Sequence, residues 1–305
     1  MQANLGGTIT GGGVPVLYAY AARYRYDAEV IQNDNMVRVS PYADRYQTVD
    51  FCRVESFPPG TQVSFTDRFG NRVQRLRVTT SHYELIITSV GRVTLLPYPG
   101  LVPEVPLRSL NPDLEVAQFL DPTRLVKPEG LVYEVAAEEA GDAHTLLDAV
   151  SRVTLWVHES IAYQPGNTSV DTTAAEVLQS GQGVCQDKTH LALGMLRALK
   201  IPARYVSGVL TRQVGETHAW LEFHHPELGW LPADPTRGQV LNFGTDYLKL
   251  GVGRDYTDVP PINGHYVSSG GGGLQLVMAR GYFDRETVTT GDALSLLESN
   301  FSARG

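Results

Sequence analysis

Alternating, interrupted and helical patterns of apolar positions follow one another along the 305-residue chain. From Tyr18 to about Tyr98 apolar and polar residues alternate in short runs with turn signals between them. Tyr24, Tyr26, Val30, Val37 and Val39 belong to the first runs, which Asn33-Asp34-Asn35 is expected to break. Pro58-Pro59-Gly60 predicts a turn before a strand at 62–66. Asp67-Arg68-Phe69-Gly70-Asn71 predicts another, with Gly70 or Asn71 free to take positive φ. Runs at 73–79, 83–89 and 90–96 complete the set, and regular short strands of this kind imply an all-β sandwich over 18–98. Residues 1–17, rich in glycine, read as a flexible lead.

Pro97, Pro99, Pro103 and Pro106 then remove all periodicity and mark a linker at 99–111. Helical spacing begins beyond it. Asn111-Pro112 has the form of an N-cap followed by proline at the first helical position. Leu146, Leu147, Val150, Val153, Val157 and Ile161 form the buried stripe of a helix expected over 142–161. Thr173 and Glu176 have the spacing of a capping box. Leu191, Leu193, Met195, Leu196 and Leu199 make a further helix that stops at Ile201-Pro202. The pattern then returns to strands at 203–210, 217–224 and 229–232, with loops at 212–216 and 225–228. More strands are expected near Tyr266 and at 274–280, beyond Gly270–Gly273. Leu294, Leu296, Leu297 and Phe301 suit a terminal helix that docks on the core or on another subunit. Helices leading into an antiparallel sheet make residues 112–305 an α+β domain.

Composition narrows the function. A net charge of −8 with no Lys/Arg run argues against nucleic-acid partners. No stretch approaches the roughly 20 apolar residues that span a bilayer, and Met1–Gly13 lacks the features of a signal peptide. Two cysteines make no disulfide framework and fit a reducing cytoplasm with one functional and one structural thiol. Cys52 lies inside a strand with no basic neighbour arranged around it, and reads as a small buried hydrophobe.

Cys185 is different. It stands where Gly181-Gln182-Gly183-Val184 turns into the apolar helix, so the free N–H groups and macrodipole of that helix start favour thiolate over thiol. A cysteine nucleophile needs a base, and the base needs an orienting partner. His218 shares one strand face with Trp220 and Glu222, and Asp234 ends the next strand. Adjacent antiparallel strands would bring the Asp234 carboxylate to the His218 ring, as acid partners stand in triads generally.

Four motifs in this order resemble the bacterial transglutaminase-like superfamily: Gly183-Val184-Cys185-Gln186-Asp187, Ile201-Pro202-Ala203-Arg204-Tyr205-Val206-Ser207-Gly208, His218-Ala219-Trp220-Leu221-Glu222, and Gly229-Trp230 through Asp234-Pro235-Thr236. The segment from Val252 to Pro261 and the early strands with Asp67–Asn71 are similar to that family too. The resemblance implies a papain-like core with Cys185 as nucleophile, His218 as base and Asp234 as orienter. It implies structural support of the helix start by Asp187. Lys188 departs from the aromatic or aliphatic residue usual there and is expected to be solvated.

The reaction expected is cleavage of a peptide, amide or isopeptide bond through a thioester, with a peptide or protein substrate and no cofactor or metal. Acyl transfer from protein glutamine to an amine is the alternative, and a non-catalytic peptide-binding module on the same fold is another. The Cys185 N–H is one expected oxyanion donor, and the second is sought near Tyr163-Gln164 or at Gln179. His190 is expected to pack, His224-His225 to lie exposed on a loop, and His144 and His158 receive no role. Trp156, Trp220 and Trp230 are assigned to the core, Trp220 with the option of bordering a substrate groove. Gly270–Gly273 lacks the lysine and helix of a phosphate loop.

Overall fold

A computed structural model describes residues 12–211, 217–241, 243–270, 273–283 and 288–302. The start at 1–11, the loop at 212–216 and Gly271-Gly272 lie outside the described residues.

The first region is all β, as its alternation implies. It holds β1 (Val14–Val37), β2 (Gln47–Phe57), β3 (Thr61–Thr66), β4 (Arg72–Val78) and β5 (His82–Leu95), in the order β2-β5-β1-β4-β3. The long β1 organises it. Its first half pairs with β5, its last residues pair with β4, and the register shifts between Arg25 and Val30. Two expectations change here. Residues 14–17 are strand rather than flexible lead, since Val14 stands opposite Leu95. Asn33-Asp34-Asn35 stays within β1 because neighbouring strands satisfy its side chains. Arg75 and Arg77 reach Asp34 at 2.7 and 3.0 Å, and Asn33 lies 2.8 Å from the His82 ring. The hydrogen bond from Arg75, reinforced by Arg77, holds the Asp34 carboxyl well below the usual carboxylate range despite its desolvation. Turn-forming residues tolerate a ladder once the ladder supplies their partners.

The linker leads through α1 (Leu114–Ala117), α2 (Leu131–Ala140) and α3 (Leu146–Ser160). Asp113 rather than Asn111 caps α1, accepting from the Val116 N–H at 2.9 Å. The helix expected over 142–161 begins at Leu146 because Thr145 caps it, and its predicted stripe is buried at Leu146, Val150, Val153 and Val157. The pattern gave no warning of α2. Next come β6 (Ala162–Tyr163), α4 (Ala174–Ser180), β7 (Gln182–Gly183) and α5 (Cys185–Ala198). Both halves of the Thr173–Glu176 capping box are present on α4.

A second sheet follows from β8 (Ala203–Leu210), β9 (His218–His225), β10 (Gly229–Asp234), β11 (Gln239–Val240) and β12 (Tyr247–Gly253), in the order β11-β10-β9-β8-β12. The core lies between this sheet and the helices, where Leu191, Leu193, Met195 and Leu196 of α5 meet Val150, Val153, Phe223 and Leu231. Mixed helix and antiparallel sheet make this the expected α+β unit. The late strands β13 (Ile262–Ser268) and β14 (Leu274–Phe283) form as expected but join the first sheet, both pairing with β1. The terminal helix α6 (Thr290–Ser302) docks on that sheet, with Ala293 and Leu297 against Leu17, Ala19 and Val90. No helix among the described residues is long and apolar enough to cross a membrane.

Side chains of the first region complete the free edge of β12. Asn71 accepts from the Val252 N–H and donates to the Val252 carbonyl, both at 2.8 Å. Gln47 does the same for Lys249, again at 2.8 Å in each direction. These amides stand in for a missing neighbouring strand.

Candidate active site

Local sequence fixes the position of Cys185. Gly181 ends α4 in the left-handed conformation, φ 67°, where a side chain would be strained. Gly183 is required by a close approach, because a Cβ there would sit 2.6 Å from Cβ of Asp187. The buried Asp187 carboxylate accepts the Val184 N–H at 2.8 Å and the Thr168 hydroxyl at 2.6 Å. Burial raises the pKa of Asp187 while those two bonds work against the rise. Asp187 thus supports the helix start, as its resemblance to the family pattern implies.

Two neighbouring strands of the second sheet deliver the other residues. Antiparallel pairing sets Ala233 opposite Leu221, which brings the end of β10 beside the start of β9. The His218 Nε2 lies 2.7 Å from Oδ2 of Asp234. A carboxylate only accepts, so a proton sits on Nε2, and Cys185 stands near enough to the same ring to favour its protonated form. The three residues singled out from the sequence therefore meet at one point.

Asp234 is fully buried and its ionised form is well served. Its Oδ1 accepts the Thr236 and Arg237 N–H groups at 2.8 and 3.2 Å, and its Oδ2 accepts from His218 and, at 2.7 Å, from the Tyr247 hydroxyl. Burial pushes the Asp234 pKa up, but His218, Tyr247 and the Thr236 N–H together hold it below the ordinary carboxylate value. His218 shows the opposite balance. Burial lowers its pKa, yet Asp234 and Cys185 outweigh burial and raise it to about 9.

The Tyr247 ring packs 4.0 Å from Phe243 and edge-on to Trp220 at 5.1 Å, and Trp220 stacks beside His218 at 6.1 Å. Trp220 is therefore core. Parallel pairing of β6 with β7 sets Tyr163 opposite Gly183, and the Gln164 N–H donates to the Gly183 carbonyl at 3.1 Å. Tyr163-Gln164 thus lies beside the cysteine turn, whereas Gln179 is exposed on α4.

Several secondary expectations change. Lys188 is buried, not solvated, because α5 is covered on nearly every side. Its Nζ donates to the His158 carbonyl at 3.0 Å, and burial lowers its pKa while Asp234 works to raise it. His224 and His225 lie on β9, not on a loop. His225 is fully buried, donating through Nε2 to the Pro103 carbonyl at 3.0 Å and accepting two N–H groups at Nδ1. His190 packs, as expected, against Tyr205. Cys52 is partly buried, with the Tyr18 hydroxyl 3.2 Å from its sulfur. Sequence reasoning missed Tyr247 and Thr168. The alternation of Tyr247, Lys249 and Gly251 with Leu248, Leu250 and Val252 was the available signal for the strand carrying Tyr247.

Both regions of the chain are similar to known proteins. Residues 133–235 match the model of the transglutaminase-like superfamily, and residues 18–94 match that of the bacterial transglutaminase-like N-terminal region. An uncharacterised protein of Mycobacterium leprae is 32% identical over 271 residues, covering 85% of this chain and 95% of that one. A protein-glutamine gamma-glutamyltransferase of Pseudomonas aeruginosa is 33% identical over 116 residues, 33% of this chain and 17% of its own. In fold, the chain is similar to a candidate cysteine protease from Cytophaga hutchinsonii. That match has a TM-score of 0.70 at 22% identity and covers 90% of this chain and 93% of that one. With both of its regions matched, one after the other, this chain belongs to the bacterial transglutaminase-like superfamily.

Proposed function

We propose that the chain is a cysteine-dependent hydrolase that cleaves a peptide, amide or isopeptide bond of a peptide or protein substrate. The observation that carries this reading is the His218 ring, held by Asp234 at 2.7 Å and near enough to Cys185 for the two to act on each other's charge. In the first half-reaction the Cys185 sulfur adds to the carbonyl carbon, and His218 gives its Nδ1 proton to the departing amine. A thioester and a free amine result. In the second, His218 takes a proton from water as the water oxygen attacks the thioester. The carboxylic acid leaves and the Cys185–His218 pair is restored. Asp234 keeps the Nε2 proton in place and stabilises the imidazolium without taking that proton itself.

The oxyanion formed in each step faces the start of α5, where N–H groups lack helical acceptors. The Cys185 N–H is the first donor in this reading, and the Tyr163-Gln164 segment beside Gly183 supplies the second.

Acyl transfer to an amine in place of water is a second reading. It is favoured by the similarity over 116 residues to the Pseudomonas aeruginosa gamma-glutamyltransferase. The two differ only in which nucleophile reaches the thioester. Casein and a biotinylated pentylamine, incubated with wild type and with Cys185→Ala, separate them. Cleavage or ammonia release without label supports hydrolysis, and label incorporated into casein supports transfer. If Cys185 also alkylates no faster than Cys52, both give way to a non-catalytic binding module.

A further inference from the structure

Two donors meet on one oxygen of Asp234. His218 Nε2 and the Tyr247 hydroxyl each lie 2.7 Å from Oδ2, while the other oxygen is held by the backbone of Thr236 and Arg237. Tyr247 belongs to β12, separated from β10 by β9 and β8, so its hydroxyl reaches Asp234 from across the sheet rather than from an adjacent strand. The side chain is 8% exposed and its ring is fixed by Phe243 and Trp220. Its single proton is committed. Gln239 Oε1 is 3.1 Å from the hydroxyl, but sending the proton there would leave the phenol oxygen facing an ionised carboxylate oxygen at 2.7 Å. With the phenol proton donated to the ionised Asp234, the phenol oxygen is free to accept, and the opposite orientation of the Gln239 amide would donate its NH2 to it.

We propose that Tyr247 is a positioning residue of this site, holding Oδ2 of Asp234 on the His218 axis and limiting how strongly that oxygen stabilises the imidazolium. The inference rests on the reading of His218 as the base for Cys185. The positive end of the Tyr247 O–H dipole points at the oxygen that His218 shares. It therefore opposes positive charge on the ring and takes up part of the carboxylate's hydrogen-bonding capacity. A proton that must be both held and released is thereby kept from being trapped on the histidine. Among the described residues, the charged or titratable groups around this pair are Cys185 and Lys188 from α5, and Arg237 from the turn after β10. Arg237 lies against Tyr247, with its guanidinium carbon 5.6 Å from the ring centroid. Tyr247 acts through Asp234, not on the sulfur.

The test is Tyr247→Phe, which keeps the ring and removes only the hydroxyl. The His218 ring is titrated by NMR, its signals assigned by their loss in His218→Ala. The rate of Cys185 alkylation by iodoacetamide is followed over the same pH range. The His218 inflection, and the alkaline inflection of the alkylation profile, are expected to move up by about half a unit to one unit. A role confined to packing would change the melting temperature and leave both inflections where they were. A folded Tyr247→Phe protein with an unmoved His218 titration overturns the proposal. Wild-type Cys185 alkylation that ignores His218→Ala overturns instead the catalytic reading beneath it, and the NMR titration still judges the Tyr247 contact. If Tyr247→Phe does not fold, wild type labelled with fluorotyrosine serves. Its more acidic phenols are expected to move the inflection downward, and no movement overturns the proposal.

Discussion

The carboxylate of Asp187 accepts the N–H of Val184 at 2.8 Å, one residue before Cys185. A side chain inside the helix thus reaches back to fix the backbone that presents the sulfur, the reciprocal half of a capping box. Asp187→Ala removes this bond and the partner of the Thr168 hydroxyl. Loss of about 1–2 kcal/mol is expected in urea unfolding. Cys185 alkylation should slow by more than global unfolding explains, and mass spectrometry at pH 7 would resolve it from Cys52.

Asn71 ties the first region to the edge of β12 through two 2.8 Å bonds to the Val252 backbone. It is fully buried, so Asn71→Ala strands an N–H and a carbonyl without water. Each orphaned group costs about 1–3 kcal/mol, and a total of about 2–4 kcal/mol is expected. Hydrogen exchange checks the location. The Val252 amide should exchange faster while amides in α3 follow only the global loss.

Glu222 lies fully buried between Arg204 at 2.6 Å and Lys249 at 2.9 Å, and Lys249 extends the cluster to Asp44 of the first region. Burial would raise the Glu222 pKa, but Lys249 and Arg204 lower it from 4.5 to about 2. A depressed carboxylate contributes stability above its unfolded value that is lost as pH falls through its folded one. Stability should therefore fall as pH drops from 4.5 towards 2, and Glu222→Gln should flatten that part of the curve. At pH 7 the same variant leaves two buried cations short of a partner and is expected to cost about 3–5 kcal/mol. Chemical denaturation across pH measures both.

His218, with its pKa raised to about 9, carries its proton throughout the neutral range. A raised histidine loses its ionic contribution as pH climbs through the folded value, so the pair with Cys185 should dissolve near pH 9 and not near 6.5. The rate of Cys185 alkylation against pH should show its alkaline inflection there. In Asp234→Asn the inflection should move down by about one unit or more, because an amide does not stabilise the imidazolium as a carboxylate does. An inflection that stays near 9 in that variant would contradict the assignment of Asp234.

Much of this protein was legible from short-range pattern. Gly181, Gly183 and the apolar run after Cys185 read correctly as a turn entering a buried helix, because turn geometry and helical periodicity are encoded within a few residues. The strand predicted at 203–210 appears at Ala203–Leu210 for the same reason. The errors share one cause. Asn33-Asp34-Asn35 reads as a break until Arg75 and Arg77 are placed beside it, and Lys188 reads as solvated until α3 supplies the His158 carbonyl. His225 reads as loop until the Pro103 carbonyl meets it. In each case a polar residue was judged by its own preference for water when a partner remote in sequence had already replaced that water.

The sequence by itself determined the cysteine at a helix start, the histidine and aspartate at strand ends, and the order of the β and α+β regions. Each depends on period, cap and turn chemistry within a single element. Only the tertiary structure decided that β13, β14 and α6 return to the first sheet, that Asn71 and Gln47 complete the edge of β12, and that Tyr247 reaches Asp234 from across the sheet. Those relationships arise from burying apolar faces against one another, a non-directional force set by the whole molecule. The hydrogen bonds that accompany them select one arrangement because a buried polar group left unpaired is too costly to keep.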